Sequence, residues 1–121
     1  MSKYDRMRAF APLTIDRRRV GRRVVLTVAG EVDIGSTDRL QRALDTACDG
    51  GAPEIWLDLT CMTFLDCRGL RALRDLRAGL LDRNRRLVLI GPVGPVRRLL
   101  SLTGCDREFE IHSTAPPRGG L

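Results

Sequence analysis

The stretch Glu54-Ile-Trp-Leu-Asp-Leu-Thr60 and the leucine repeat that follows it decide the fold class of this chain. The first segment is a short, largely apolar run, which predicts a central strand. Leucines then recur at helical spacing, with arginines largely between them, at Leu70, Leu73, Leu76 and Leu80. This pattern predicts an amphipathic helix over about 66–83. A buried strand that leads into such a helix is typical of an α/β sheet covered by helices.

Two strand patterns precede this central unit. Leu13-Thr-Ile15 alternates like an edge strand and is followed by a run of three arginines. After a turn at Gly21, the run Val24-Val-Leu-Thr-Val28 predicts a buried strand that ends within Gly30-Glu-Val-Asp-Ile-Gly35. We expect these two strands to form a hairpin.

Further patterns on either side of the central unit predict two helices and two strands. They are a helix from an N-cap at Ser36 or Thr37 to about Cys48, a strand over Leu87-Val-Leu-Ile90, a helix that begins with Pro95 in its first turn and ends at Gly104, and a strand over Phe109-Glu-Ile-His-Ser113. The predicted order is β-β-α-β-α-β-α-β. It indicates an α/β fold with a mixed, partly parallel sheet covered by helices.

Length and composition predict one domain. With 121 residues, of which 43% are hydrophobic and 30% charged, the chain is long enough for a single hydrophobic core. No apolar run reaches the roughly 20 residues that cross a bilayer, and no signal-peptide segment follows Met1, which predicts a cytoplasmic protein without direct membrane insertion. We expect the domain to cover 11–114, with an N-terminal extension over 1–10 and a disordered tail over 115–121.

The charge and the cysteines argue against nucleic acid and zinc. The net charge of +6 comes almost wholly from arginine, and aromatic residues make up only 4% of the chain, too few for the stacking platforms of a nucleic-acid binder. An acidic protein partner or a solvated surface explains the charge equally well. The four cysteines form no C-x-x-C pair and His112 is the only histidine, so we expect neither a metal nor a cofactor.

Three aspartates lie at or near predicted strand ends, at Asp33, Asp58 and Asp66. Carboxylates at this edge of an α/β sheet can hold magnesium, but a phosphoryl-transfer receiver also needs a downstream lysine, and Lys3 is the only lysine. We therefore expect these aspartates to be caps or turn formers. The lone His112 falls in a predicted strand near the C-terminus, and no base, metal set or nucleotide loop accompanies Cys67, so the sequence does not predict an enzyme.

The turn Asp66-Cys67-Arg68-Gly69 joins the central strand region to the amphipathic helix. Asp66 is placed to cap the helix, and Cys67 falls in the first turn, where exposed backbone N–H groups and the helix dipole favour negative charge. A nucleophilic or modifiable side chain suits this position. A purely structural role, with Cys67 as a small half-buried filler and Asp66 as a cap, fits the same residues.

At this point the sequence resembles the STAS domain family, which includes bacterial anti-sigma factor antagonists. The resemblance covers about 11–113 and lies in three motifs. Gly30-Glu31-Val32-Asp33 resembles the family's G-E-x-D, Leu57-Asp58-Leu59-Thr60 with Phe64-Leu65-Asp66-Cys67-Arg68-Gly69-Leu70 resembles D-L-S followed by F-x-D-S-x-G-L, and Val96-Arg97-Arg98-Leu99 with Leu102-Thr103-Gly104 resembles V-x-R-x-L followed by L-T-G.

The resemblance implies an antagonist that binds an anti-sigma factor, usually a Bergerat-fold serine kinase, and thereby releases a sigma factor for transcription. Family members dock through the loop after the second strand and through the start of the helix that follows the third. The corresponding partner-binding residues here are Asp33, Ile34, Gly35, Ser36, Thr37, Thr63, Asp66, Cys67, Arg68, Gly69 and Leu70.

The chain departs from the family pattern at the switch position. In the family, the kinase phosphorylates the serine directly after the motif aspartate, and here that residue is Cys67. Hydroxyl groups nearby in sequence, none of them at the family's position, are Ser36, Thr37, Thr60 and Thr63.

Three interpretations follow from the cysteine. The first is an antagonist without the phosphorylation switch, in which Cys67 replaces serine by size. The second is a redox-controlled antagonist, in which Cys67 is oxidised and Cys61 resolves it. The third is a ligand-sensing or transport-associated module that binds a lipid, nucleotide or anion beside Arg68, Arg71 and Arg74.

Overall fold

The structure, a computed structural model, describes residues 12–114, and these residues form six strands and four helices. The strands are β1 (Thr14–Val20), β2 (Arg23–Val32), β3 (Glu54–Asp58), β4 (Met62–Leu65), β5 (Arg86–Ile90) and β6 (Glu110–His112). The helices are α1 (Thr37–Asp49), α2 (Cys67–Leu81), α3 (Gly94–Leu102) and α4 (Cys105–Glu108). The predicted extension over 1–10 and the predicted tail over 115–121 lie outside the described residues.

The strands form one mixed sheet. β1, β2, β3, β5 and β6 lie side by side in that order, and β4 pairs separately with β2. β1 and β2 form an antiparallel hairpin, and every other pairing is parallel. The predicted α/β class, the hairpin and the partly parallel sheet are confirmed.

The predicted element order is wrong in two places, because it lacks β4 and α4. β4 has only four residues, and its two central residues are both exposed, so it shows no alternation of buried and exposed positions. α4 is a single turn of four residues, too short to give a helical repeat.

Several predicted strand boundaries also differ from the structure. The last strand spans Glu110–His112 and not 109–113, because Phe109 ends α4 and is buried in the main core. β1 continues through the three arginines to Val20, because it is an edge strand on which long side chains reach solvent. β3 ends at Asp58 and not at Thr60. The Asp58 carboxylate accepts hydrogen bonds from the Thr60 backbone N–H at 3.0 Å and from its hydroxyl at 2.6 Å, and this closes a turn.

The described helices pack on one face of the sheet. Alternate strand residues such as Leu26, Leu57 and Leu89 form the main core with the buried leucines of α1, α2 and α3. The residues between them point to the opposite face and form a second cluster that contains no helix residue. We call it the Trp56 face, after its members Val20, Val25, Trp56, Val88 and Ile90. No helix within 12–114 is long and apolar enough to cross a bilayer.

Candidate functional site

The pairing of β4 with β2 brings the two predicted docking segments together. Glu31 and Val32, at the end of β2, pair with Phe64 and Leu65 at the end of β4. The Asp66 backbone N–H then donates to the carbonyl oxygen of Val32 at 3.1 Å. As a result, the loop that follows β2 (the 33–37 loop) and the start of α2 (the 66–70 turn) leave the same edge of the sheet side by side.

The 33–37 loop is held by hydrogen bonds within itself. The Asp33 carboxylate accepts from the Gly35 backbone N–H at 2.9 Å, and the Thr37 hydroxyl donates to the Asp33 carbonyl at 2.6 Å. Ser36 occupies the N-cap position of α1, but its hydroxyl donates back to the Glu31 carbonyl at 3.0 Å and makes no capping bond. These bonds leave Ile34 as an apolar side chain that is 77% exposed at the tip of the loop.

Asp66 is the N-cap of α2, as the sequence predicts. Its carboxylate accepts from the Gly69 backbone N–H at 2.8 Å, which satisfies one of the unpaired donors at the start of the helix. Together with Asp33 and Asp58, all three strand-end aspartates accept hydrogen bonds from backbone N–H groups two or three residues later. The prediction that they cap helices or form turns is confirmed.

Gly69 lets the first turn of α2 lie directly against the sheet. A Cβ atom at this position would come within 2.5 Å of Leu65 Cδ1 and 2.9 Å of Val32 Cγ1, closer than side-chain atoms approach. Leu70 is also buried. Gly69 and Leu70 are therefore the predicted docking residues that pack the 66–70 turn against the sheet. Cys67 and Arg68 are exposed on the outer side of the turn.

Basic side chains continue from Cys67 along α2. A trough of about 600 Å³ runs beside the helix, and its lining includes Cys67, Arg71 and Arg74. Arg74 is paired across this trough with Glu108 of α4, with Nε and Oε2 3.4 Å apart. The predicted basic face of Arg68, Arg71 and Arg74 is exposed, and Glu108 partly neutralises it at Arg74.

The structure has an apolar groove on the other side of Cys67, and the sequence analysis does not predict this groove. It measures about 350 Å³, and α3 forms one wall while the end of β4 forms the other. We call it the apolar groove; its apolar lining is Phe64, Leu65, Pro95, Leu99 and Leu102. The sequence does carry a signal for it. α3 has one exposed leucine beyond its core stripe, because Val96, Leu99 and Leu100 pack against the main core while Leu102 is 78% exposed.

The Trp56 face carries a second polar cluster, in which the charges are paired. Arg23, Glu54 and Arg86 lie opposite one another on β2, β3 and β5. One Glu54 oxygen accepts from Trp56 Nε1 at 2.8 Å, from Arg23 at 3.2 Å and from Arg86 at 3.3 Å. Both arginine guanidinium groups also lie over the Trp56 ring, 5.5 and 5.6 Å from its centroid.

The same cluster extends to the last strand. Arg86 donates to both oxygens of Glu110, with Nε and Oε1 2.7 Å apart, and His112 Nε2 lies 2.7 Å from Glu110 Oε2. The hydrogen bond from Arg86 lowers the pKa of Glu110 against the opposing effect of burial, and the same bond raises the pKa of Arg86. Burial acts to raise the pKa of Glu54, but the bonds from Trp56 and Arg23 and the charge of Arg86 outweigh it and lower that pKa.

Comparisons with known proteins agree with this architecture. A family model described as the STAS domain matches residues 14–116. Among curated proteins, none matches the chain.

Three solved structures share the fold. Protein TM1081 of Thermotoga maritima is 24% identical, with a TM-score of 0.77 over 83% of this chain and 86% of that one. An anti-sigma factor antagonist from Mycobacterium paratuberculosis is 25% identical, with a TM-score of 0.74 over 85% of this chain and 87% of that one. The Bacillus cell fate determinant SpoIIAA, in its phosphorylated form, is 21% identical, with a TM-score of 0.67 over 84% and 92%.

Proposed function

We propose that this chain, which belongs to the STAS domain family, acts as an anti-sigma factor antagonist. In this role it binds an anti-sigma factor of the Bergerat-fold serine kinase type and thereby releases a sigma factor for transcription. The proposed activity is binding and not catalysis, and its place is the cytoplasm. The similarity to the antagonist from Mycobacterium paratuberculosis supports this role.

The observation that carries the proposal is the meeting of the two docking segments at one edge of the sheet. Val32, the last residue of β2, accepts the Asp66 backbone N–H and lies under Gly69. Both segments are held by their own hydrogen bonds before any partner arrives, so binding costs little ordering of the backbone. The exposed residues of this joint surface, which we propose as direct contacts, are Asp33, Ile34, Gly35, Thr63, Cys67 and Arg68.

We further propose that this antagonist lacks the phosphorylation switch. Position 67 has a thiol in place of the serine of the family pattern. Of the four nearby hydroxyl groups, three are already engaged as donors: Ser36 to Glu31, Thr37 to Asp33 and Thr60 to Asp58. A kinase would have to break these bonds to reach them, and none of the three lies at the start of α2. The fourth, Thr63, is exposed but lies on β4, four residues before the switch position.

The test is co-purification of the chain with each anti-sigma factor of the source organism, in the presence of ATP or ADP. We expect the wild type to retain one of them and to stay unphosphorylated. The Cys67→Ser variant should bind the same partner and become phosphorylated by it, because the substitution restores the family's acceptor at the same size. Failure of the wild type to bind any anti-sigma factor would overturn the proposed function.

A charge at position 67 tests whether this residue lies inside the contact. Cys67→Asp should weaken the complex by more than about tenfold, because the carboxylate would have to be desolvated when the partner covers the turn. Cys61→Asp is the matched control, since Cys61 is also an exposed free cysteine but lies before β4. Equal binding by the two aspartate variants would exclude position 67 from the interface.

A further inference from the structure

The apolar groove beside Cys67 leaves large apolar side chains exposed to solvent in the isolated chain. Leu102 is 78% exposed and Phe64 is 42% exposed, and both line the groove. Contiguous apolar surface of this kind marks an interaction site more often than isolated exposed leucines do. The groove therefore has the character of a binding surface that is open in the free chain.

The groove is continuous with the proposed docking surface. Asp66 and Cys67 belong to the 66–70 turn and also line the groove at its β4 end. A partner that covers the turn therefore also covers this end of the groove. Its volume of about 350 Å³ is at the low end of the roughly 300–1,000 Å³ range of small-molecule pockets, a size that suits one large side chain.

The charges around the groove indicate which groups of a partner would lie beside the side chain that enters it. Arg98 lines the groove from α3, and Arg68 lies next to Cys67 on the turn. Within 12–114, neither arginine has an ion pair or a side-chain hydrogen bond, in contrast to Arg23, Arg74 and Arg86. Electrostatic complementarity then requires carboxylates on the partner around an apolar centre.

We infer that the apolar groove receives one large apolar side chain of the anti-sigma factor, with a carboxylate beside it that pairs with Arg98. This inference rests on the proposed function and adds α3 to the docking surface. It also gives Cys67 a role of its own, because a thiol behaves as a small apolar group in this wall of the groove. A serine hydroxyl at the same place would have to be desolvated when the side chain enters.

The groove is tested with two exposed leucines that end different helices. Leu102→Ser removes apolar surface from the groove, whereas Leu81→Ser, at a residue that is 51% exposed, does so at the far end of α2, about 20 Å from Cys67 along the helix. Binding of the recovered anti-sigma factor should weaken about tenfold or more with Leu102→Ser and less than about twofold with Leu81→Ser. Thermal unfolding of both variants checks that each remains folded.

A matched pair of charge reversals tests the carboxylate. Arg98→Glu and Arg97→Glu change the net charge equally, but Arg97 lines a different cleft, on the side of β6. We expect Arg98→Glu to slow association and to weaken binding about tenfold, with Arg97→Glu close to the wild type. Equal effects of the two reversals would mean that net charge alone acts, and would overturn the pairing of Arg98.

The outcomes separate this inference from the proposed function. If the wild type binds no anti-sigma factor, both fall. If the wild type binds and Leu102→Ser binds as tightly as Leu81→Ser, only the groove is excluded. If Leu102→Ser leaves partner binding unchanged but abolishes self-association of the chain, the occupant of the groove is a second copy. If it leaves partner binding unchanged but removes an acyl chain that native mass spectrometry detects on the wild type, the occupant is a lipid. Either result would show that the inference is wrong.

Discussion

Across the Trp56 face, charged side chains pair with partners on neighbouring strands. Around Cys67, in contrast, the arginines of the 66–70 turn and of the apolar groove are exposed and have no partner among residues 12–114. Glu54 alone accepts three hydrogen bonds from side chains of its own sheet. Arg68 and Arg98 have no such bond within the described part of the chain. The two regions lie in the same small domain and are both rich in charge, yet only the second leaves charge available to another molecule.

From this difference we expect stability and the proposed partner binding to depend on different regions of the fold. The Trp56 face lies on the sheet surface away from the described helices, and its charges shield an aromatic ring that is almost fully buried. The 66–70 turn lies at a sheet edge and is held by the Asp66 carboxylate, by the Asp66 backbone N–H and by the close approach of Gly69 to Val32 and Leu65. Substitutions in the first region should therefore change the free energy of unfolding, and substitutions in the second should change partner binding more.

Trp56→Ala should have the largest effect on stability. It removes a buried side chain together with its bond to Glu54 and the stacking of Arg23 and Arg86, and we expect the free energy of unfolding to fall by about 3–5 kcal/mol. Urea denaturation followed by far-UV circular dichroism measures this, since Trp56 is the only tryptophan. Under conditions where the variant is folded, its affinity for the anti-sigma factor should match the wild type, and a large loss of affinity would break the proposed separation.

Gly69→Ala should have a smaller effect on stability and a larger one on binding. The added methyl group would force the first turn of α2 away from Val32 and Leu65, at a cost of about 1–3 kcal/mol. Gly79→Ala is the matched control on the same helix, because nothing lies within 4 Å of an added Cβ there, and it should stabilise the chain by about 0.5–1 kcal/mol. Denaturation and binding titrations of both variants sharpen the comparison: a stable Gly69→Ala variant with full affinity would show that the position of the turn is not critical.

Much of the fold could be predicted from the sequence because its elements carry strong local patterns. The leucine spacing of α2 and the apolar runs of β2, β3 and β5 are visible without any knowledge of pairing. β4 could not be predicted this way, since its four residues become a strand only through their pairing with the end of β2. Yet that pairing is what joins the two predicted docking segments.

The candidate site could be predicted in part for the same reason. Asp66 is recognisable as a helix cap from the sequence because it directly precedes the predicted helix. The apolar groove is not recognisable in this way, because it forms only where β4 and α3, some 30 residues apart in the chain, meet. The charged cluster on the Trp56 face also cannot be predicted from local sequence patterns. Arg23, Glu54, Arg86 and Glu110 each start a separate strand. The register of the sheet places the first three opposite one another, and it places Glu110 opposite Val88, within reach of Arg86.

Acid titration should have the smallest effect and probes the Trp56 face through Glu110. Its lowered pKa means that the folded state binds the proton more weakly than the unfolded chain does, so the stabilisation is complete above the ordinary value of 4.5 and is lost as the pH falls through the lowered pKa. The side chains of Arg86 and Glu110 are 42% and 38% exposed, so solvent screening limits the contribution of the pair to under about 1 kcal/mol.

Glu110→Gln should lower the free energy of unfolding by up to that amount at neutral pH and flatten its decline below pH 4.5. Glu108→Gln is the control, because Glu108 pairs with Arg74 outside this face. Thermal unfolding across the acid range should separate the two variants, and identical pH profiles would show that the paired charges of the Trp56 face contribute no more than a solvent-exposed pair.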